Sequence, residues 1–453
     1  MISKKTKTID KKEESHEEHL KKNSRILMFY TILGGISSFF FYFMLARVLS
    51  IEDYSLFYAF VAITYFFMIP QETVKMVTAK YTTKFLCQNK FGKIKTLYLK
   101  SNKLIFIYSL VGFIIFLALY PLVGEFLHAS FTEYLMFSFC ILVIFLVPVS
   151  WGILQSTNKF KELGLLSFFY HFFLLIVAAI LILLGFGLNG SLVSIAIADF
   201  MCLVVGWFMI RPMLKVRKEG LKEKGIFKYS LAVFAILGLL IVMNTVDVFI
   251  ARFFFSRADS GLYSGIATIS KTIFFVAIAV ARVMFPKVAE IDELGEGDDK
   301  EESKNLLKSS LIINGTMFLC LMTGALLFPE LIVRVVLGTK YLAIAPLLKY
   351  AILSIAFLSF STIVAFYNLS MNWNKKLTAR VIAAFVFLQI ALTIMFHDSL
   401  KQFILMTVIS NIWLFVLLLS TVKNLYPKPE GSENPENSEN HIHKGQGLKV
   451  KKR

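Results

Sequence analysis

The sequence predicts an all-α, polytopic membrane protein of about twelve transmembrane helices, arranged as two six-helix halves. Three observations predict this class: the composition, the spacing of long apolar runs and the uneven distribution of basic residues. The chain of 453 residues is 57% hydrophobic and 17% charged, and it contains 46 Phe. Soluble domains are about half apolar and a quarter charged, so the composition already disfavours a soluble protein.

The apolar runs set the number of helices. A hydrocarbon core of about 30 Å requires about 20 apolar residues per helix. Runs of this length recur along most of the chain, and they predict helices at 26–46, 55–77, 102–120, 134–155, 163–184, 191–210, 227–250, 262–285, 307–328, 342–368, 378–396 and 401–422. An even number of spans places both termini on the same side of the membrane.

The basic residues predict which side that is. Of the 48 Lys and Arg residues, 40 lie on the side of the two termini and six lie on the opposite side. Cytoplasmic loops carry an excess of Lys and Arg, so we predict that both termini are cytoplasmic and that the protein lies in a prokaryotic plasma membrane. The formal net charge of +18 then reflects membrane topology, and we expect no nucleic-acid partner.

Composition shifts divide the chain into five segments. They are a charged cytoplasmic tail (1–25), an N-terminal six-helix lobe (26–210), a basic cytoplasmic linker (211–226), a C-terminal six-helix lobe (227–422) and a disordered polar tail (423–453). The predicted outer loops are short and contain only scattered acids, so we do not expect an enzyme such as a glycosyltransferase. No phosphate-binding glycine loop is present, which argues against an ATPase. We expect no cofactor and no metal site.

An internal repeat links the two lobes. Residues 46–57 read ARVLSIEDYSLF, and residues 251–263 read ARFFFSRADSGLY, with an offset of 206 residues from the serine onward. A second match pairs Asn158-x-x-Lys161 with Asn372-x-x-Lys375. Six spans per half mean that the repeats are parallel and related by an axis along the membrane normal. Such a pair encloses a central cleft, and rocking of the lobes would open it to each side in turn, which predicts transport.

Polar residues follow one face of two equivalent helices. On the eighth helix they are Ser264, Thr268, Lys271 and Arg282, and on the second they are Thr64, Gln71, Lys75 and Thr78. A charge at the centre of a span costs about 2.5–3.5 kcal/mol, so each needs a partner, water or a function. One interpretation is a cationic cleft that binds an anionic substrate. The alternative is that Lys75 and Arg282 snorkel to the headgroups while Lys271 pairs with an acid.

Further charged residues complete the set of candidates. Arg47 and Arg252 at the outer helix ends either bind substrate or anchor the helices at the interface. Asp199 and Asp247 either couple transport to H⁺ or Na⁺ or pair with basic residues, and Glu72 is expected to pair with Lys75. The predicted substrate-binding residues are Lys271, Arg282, Lys75, Arg47, Arg252, Thr268 and Gln71, with Asp199 and Asp247 as ion-coupling residues.

Three segments resemble a known family. FMLARVLSIEDYSLFYAF (43–60) resembles the first helix-to-helix turn of polysaccharide transport proteins, within the multidrug/oligosaccharidyl-lipid/polysaccharide exporter superfamily. GILQSTNKFKELGL (152–165) resembles that family's turn after helix 4, and ARVMFPKVAEI (281–291) its exit from helix 8. The chain departs from the pattern at Ser55, where the family has Gly, whereas the second half retains Gly261.

The resemblance implies both a fold and a function. It implies a fold of two six-helix lobes in a V. It also implies that the protein flips a lipid-linked oligosaccharide to the outer leaflet, and in such a substrate a phosphate or diphosphate joins the sugar to polyprenol. It further implies a cleft lined by basic residues of helices 1, 2, 7 and 8, with membrane lipids and glycan-assembly enzymes as partners. Two alternatives remain: a cation-coupled multidrug exporter, although helix 1 has no Asp or Glu, and a peptidoglycan-precursor flippase, although such proteins often have two extra helices.

Overall fold

Among the residues that the structure describes, twelve helical segments are long and apolar enough to cross a membrane. The structure, a computed structural model, describes residues 26, 29–157, 159–220, 231–294, 299–371 and 375–422. Over these residues the secondary structure is helical and contains no strand. The predicted all-α class and the predicted number of spans are therefore confirmed.

The described residues form sixteen α-helices, of which fourteen build the spans. These are α1 (Phe29–Val48), α2 (Ile51–Cys87), α3 (Phe91–Ala118), α4 (Tyr120–Leu127), α5 (Phe131–Val143), α6 (Val147–Ser156), α7 (Phe160–Leu183), α8 (Gly187–Ile210), α9 (Leu231–Phe254), α10 (Arg257–Ser270), α11 (Thr272–Leu294), α12 (Asp299–Leu327), α13 (Pro329–Val336), α14 (Leu348–Ser370), α15 (Lys375–Met395) and α16 (Leu400–Ser420). The pairs α5–α6 and α10–α11 each form one span, and α4 and α13 are short helices between spans. We call the end of the bundle with the α1–α2 and α9–α10 turns the outer end, after its predicted orientation, and the opposite end the inner end.

The repeat is visible in how the second helix of each half begins. Ser50 caps α2, and its side chain accepts a hydrogen bond from the backbone N–H of Asp53 at 3.0 Å. Ser256 caps α10 in the same way, accepting from the N–H of Asp259 at 3.0 Å. A serine at this position satisfies a backbone donor that the helix itself leaves unpaired. The second predicted match, at Asn158 and Asn372, lies outside the described residues.

The stretch 78–101, which lies between the second and third predicted helices, is mostly helical. The α2 helix continues to Cys87 and α3 begins at Phe91, so only three residues connect them. At 1.5 Å per residue α2 is about 55 Å long, which exceeds the hydrocarbon thickness. Hydropathy detects only the apolar part of such a helix, because the lysine-rich turns extend beyond the hydrocarbon.

The eighth span differs from the single helix expected at 262–285. A turn at Lys271 separates α10 from α11. The segments 1–25, 221–226 and 423–453 lie outside the described residues, so the predicted boundaries of the tails and lobes stay predictions.

The two lobes cross closely at the outer end. A Cβ added to Gly261 on α10 would lie 2.2 Å from the carbonyl oxygen of Ile51 on α2, which only glycine avoids. One residue away, the hydroxyls of Ser55 and Ser260 are 2.8 Å apart. This contact gives Ser55, the residue that departs from the family pattern, a structural partner in the opposite lobe.

Candidate functional site

A cleft lies between α2 of the N-terminal lobe and α9, α11 and α14 of the C-terminal lobe. Most of its lining is apolar: Met68, Ile69, Leu237, Leu240, Ile241, Phe274, Ile278 and Phe366. Its polar lining residues are Glu72, Arg282 and Thr362. The empty space measures about 370 Å³, including the part open to solvent. The cleft thus combines apolar walls with a pair of opposite charges.

Three charged side chains meet at the edge of this cleft, and two of them, Glu72 and Arg282, line it. The Nζ atom of Lys75 lies 2.7 Å from Oε2 of Glu72, one helical turn away on α2. From the other lobe, Nη2 of Arg282 on α11 lies 3.4 Å from Oε1 of Glu72. The predicted Glu72–Lys75 pair is therefore present. The additional link to Arg282 joins the lobes, and sequence reasoning missed it because it depends on how α2 and α11 pack.

Lys271 lies in a different environment. It is buried at the turn between α10 and α11, where its Nζ is 2.8 Å from Oδ1 of Asp247. The ammonium also donates to the carbonyl of Asn244, and the Tyr263 hydroxyl donates to Oδ2 of Asp247. Lys271 is thus paired with an acid, which was the alternative interpretation, and it does not line the cleft beside Arg282.

The remaining residues of the two predicted stripes are also separated. The Thr268 hydroxyl lies 2.7 Å from the hydroxyl of Tyr54, so it joins α10 to α2 near the outer crossing. Gln71 is half-buried on α2, next to Glu72. The structure therefore does not bring the predicted residues into one cationic cleft, but distributes them among the outer crossing, the interior of the C-terminal lobe and the cleft.

Arg252 is a buried contact between the lobes. It is 2% exposed at the end of α9, and its Nε donates to the carbonyl of Leu127 at 2.8 Å. Its Nη1 donates to the hydroxyl of Ser55 at 2.9 Å. Leu127 is the last residue of the short helix α4 in the opposite lobe. Because unpaired carbonyls give a helix C-terminus partial negative charge, a guanidinium is favourable there.

Arg47 makes the equivalent contact in the other direction. From the end of α1, its Nη2 donates to the carbonyls of Arg334 at 3.1 Å and Val335 at 2.8 Å. These carbonyls belong to the last turn of α13, the short helix of the C-terminal lobe. The Arg47 guanidinium also lies 4.3 Å from the ring centroid of Phe43. Each lobe therefore places an arginine on the C-terminus of the other lobe's short helix.

A second cavity lies at the outer end beside Arg252. Its charged and titratable lining residues are Glu52, Asp53, Glu125, His128, Glu133, Arg252 and Arg257. Partial burial lowers the pKa of His128 below its ordinary value, and the nearby positive charges of Arg252 and Arg257 lower it further. The two arginines are therefore the positive charges of this cavity at neutral pH.

The two predicted ion-coupling residues differ in their partners. Asp247 is held by Lys271, Tyr263 and the backbone N–H of Val248. Asp199 on α8 is 4% exposed, and among the described residues its Oδ2 has no hydrogen-bond partner. The structure thus provides a counter-charge for Asp247 inside the C-terminal lobe, whereas Asp199 is a buried carboxyl with an unpaired oxygen.

Comparison with known proteins identifies sequence relatives. A family model described as "Polysaccharide biosynthesis protein" matches residues 44–346. The uncharacterized membrane protein MJ1375 of Methanocaldococcus jannaschii is 26% identical over 264 residues. That match covers 55% of this chain and 61% of the relative, less than two thirds of its length.

Solved structures share the fold at low sequence identity. The lipid II flippase MurJ in its inward closed conformation matches with a TM-score of 0.63 and 18% identity, over 88% of this chain and 87% of MurJ. An inward-facing multidrug resistance MATE family transporter of the MOP superfamily matches with a TM-score of 0.65 and 12% identity, over 88% and 96%. A MOP superfamily transporter from Pyrococcus furiosus, described as having a binding pocket of reverse polarity, matches with a TM-score of 0.61 and 13% identity, over 89% and 93%. These matches confirm the two-lobe transporter fold.

Proposed function

Because this chain belongs to the polysaccharide biosynthesis protein family and has a two-lobe transporter fold, we propose that it flips a lipid-linked oligosaccharide by alternating access. The carrier lipid is a polyprenyl phosphate or diphosphate, and the product serves the assembly of a cell-surface polysaccharide or glycan. The proposal places the protein in a plasma membrane with both termini in the cytoplasm, beside glycan-assembly enzymes.

The charged mouth of the apolar cleft is the observation that supports this substrate most directly. Lys75 and Arg282 approach one point from opposite lobes, and apolar side chains line the adjacent space. A polyprenyl diphosphate combines a strong anion with a long apolar chain. Charge-assisted hydrogen bonds from Lys and Arg are the usual contacts of phosphate groups. In this proposal Lys75 and Arg282 bind the phosphate, and Gln71 lies beside it.

The other candidate residues take structural roles in the transport cycle. Arg47, Arg252 and Thr268 hold the outer ends of the lobes together. The Lys271–Asp247 pair stabilises the turn between α10 and α11. Alternating access then requires that these outer contacts break when the inner ends close.

Ion coupling, if the transporter uses H⁺ or Na⁺, is assigned to Asp199. Asp247 already has a fixed cation in Lys271, whereas Asp199 has an unpaired carboxyl oxygen among the described residues. A buried carboxyl without a counter-charge is costly when ionised, so it favours an exchangeable cation. Substituting Asp199→Asn should abolish the dependence of transport on an ion gradient.

Translocation in proteoliposomes tests the proposed function. A fluorescent polyprenyl-diphosphate oligosaccharide is supplied on the inner side, with and without an ion gradient, beside a cationic dye. We expect the labelled lipid to reach the far leaflet while the dye does not move, and we expect the double variant Lys75→Gln/Arg282→Gln to lose this activity.

The matched control is Lys376→Gln/Arg380→Gln, which removes two exposed cations from α15. Movement of the dye alone would identify a cation-coupled drug exporter and refute the flippase. Movement restricted to peptidoglycan precursors would identify that class of flippase instead.

A further inference from the structure

The carboxylate of Glu72 lies where an anionic ligand of the cleft would bind. It accepts from Lys75 at 2.7 and 2.8 Å through its two oxygens, and Oε1 also faces Arg282 at 3.4 Å. Carboxylate and phosphate oxygens are recognised by the same ammonium and guanidinium donors. The position between the two cations is thus already occupied by an anion of the protein.

This cluster is accessible enough to exchange partners. The side chains are 18% exposed for Lys75, 24% for Glu72 and 46% for Arg282. Partly solvated ion pairs contribute little to stability and are easily replaced. By contrast, the side chains of the Lys271–Asp247 pair are 3% and 5% exposed, so an exchange there would leave a buried charge unpaired.

We propose that Glu72 is a built-in surrogate for the phosphate of the substrate, and that an incoming phosphate or diphosphate displaces it from Lys75 and Arg282. The inference rests on the proposed function, because it assigns the same site a mechanism of ligand exchange. Displacement also breaks the Arg282–Glu72 link between the lobes, so the same event that binds the ligand releases the inner ends of α2 and α11.

Charge explains why an anionic lipid would succeed in this exchange. A diphosphate has more negative charge than one carboxylate, and the apolar side chains beside Glu72 offer a contact surface to the first isoprene units of its lipid chain. Neutral lipids and cations cannot take over the donors of Lys75 and Arg282. The surrogate therefore makes release of the inner end selective for ligands that bear phosphate.

Ligand binding to the purified full-length chain provides the first test. The probe is geranylgeranyl diphosphate. Inorganic diphosphate and geranylgeraniol, which correspond to its anionic and its apolar part, are measured separately for comparison. We expect Glu72→Gln to bind geranylgeranyl diphosphate roughly three- to tenfold more tightly than the wild type, because the competing charge is gone. The control Glu302→Gln, which removes an exposed carboxylate of α12, should bind like the wild type.

The distance between the inner ends provides the second test. Spin labels at the exposed positions Phe91 and Leu377 report this distance in a chain whose four cysteines are replaced by serine. We expect Glu72→Gln and Arg282→Gln to widen the distance without ligand, since both remove the link between the lobes. Their affinities for the diphosphate should shift in opposite directions, tighter for Glu72→Gln and weaker for Arg282→Gln.

The outcomes separate this inference from the proposed function. Equal binding by wild type and Glu72→Gln, with an unchanged distance, would overturn the surrogate role while leaving the substrate class standing. Failure of every variant to bind either diphosphate would overturn both. Tighter binding of inorganic diphosphate alone by Glu72→Gln would support the exchange but assign the site to a free phosphate, which contradicts a lipid substrate.

Discussion

The outer and inner ends of the lobe interface are built from different kinds of contact. At the outer end, Gly261 packs against the backbone of Ile51, and the buried Arg252 bonds to the opposite lobe. At the inner end, the partly exposed pair Arg282–Glu72 joins the lobes. Desolvated contacts are costly to break one at a time, whereas solvated ion pairs exchange readily. We infer that the inner end is the one that a ligand can open in this state.

The Lys271–Asp247 pair, between the two ends, should give the largest effect. Lys271→Met leaves the Asp247 carboxylate buried without its counter-charge, which costs about 3–5 kcal/mol of unfolding free energy. The double variant Lys271→Met/Asp247→Asn should recover most of this loss. Steric trapping in bicelles measures the unfolding free energies of the single and the double variant. A wild-type unfolding free energy for Lys271→Met would show that the pair does not support the fold.

Arg252 should matter more than Arg47, although the two make equivalent contacts. Arg252→Ala leaves the Leu127 carbonyl without its buried donor, so we expect a loss of about 1–3 kcal/mol and separation of the outer ends. Arg47→Ala should cost less because that side chain is exposed. Unfolding free energies measure the difference, with exposed Arg257→Ala as the control. An equal loss for Arg47 and Arg252 would contradict the role assigned to burial.

The close crossing of α2 and α10 can be tested by adding one methyl group at Gly261, where the two helices are in contact. Gly261→Ala places a Cβ against the Ile51 carbonyl, so we expect a cost of about 1–3 kcal/mol from overpacking. Gly35→Ala is the matched control, since nothing lies within 4 Å of its added Cβ. Thermal unfolding in detergent compares the two variants. A wild-type midpoint for Gly261→Ala would show that the outer ends are loosely packed.

Arg282 should give the smallest change in stability at the inner end. Arg282→Ala removes a solvated ion pair, so its cost should stay below about 1 kcal/mol. We nevertheless expect it to impair lipid translocation strongly, because it removes a cation from the mouth of the cleft. Unfolding and translocation are measured on the same preparation. Normal translocation by Arg282→Ala would exclude Arg282 from substrate binding.

Local rules explain why much of the fold was predictable. The number of spans follows from comparing apolar run length with bilayer thickness. The serine caps of α2 and α10 precede the predicted starts at 55 and 262, because hydropathy detects the apolar part of a helix and not its cap. The Glu72–Lys75 pair was predictable, since residues three apart on a helix are neighbours.

Patterns on a single helix were less informative about the site. The predicted face of the eighth span grouped Thr268, Lys271 and Arg282. Because of the turn at Lys271 and the packing of α10 and α11, these residues lie at the outer crossing, in the interior of the C-terminal lobe and at the cleft, respectively. Helical projection assumes a continuous helix with one buried direction, and neither condition holds here.

By itself, the sequence determined the membrane class, the twelve spans and the paired halves, because hydropathy acts over one helix length and the repeat can be read directly from the residues. Only the tertiary structure decided which charges meet between different helices. Lys271 forms an ion pair with Asp247, 24 residues away, and Arg282 forms one with Glu72 in the other lobe. Arg252 donates a hydrogen bond to the carbonyl of Leu127, 125 residues away. These partners depend on how the lobes pack, since the energy of an ion pair is set by distance and burial rather than by position in the chain.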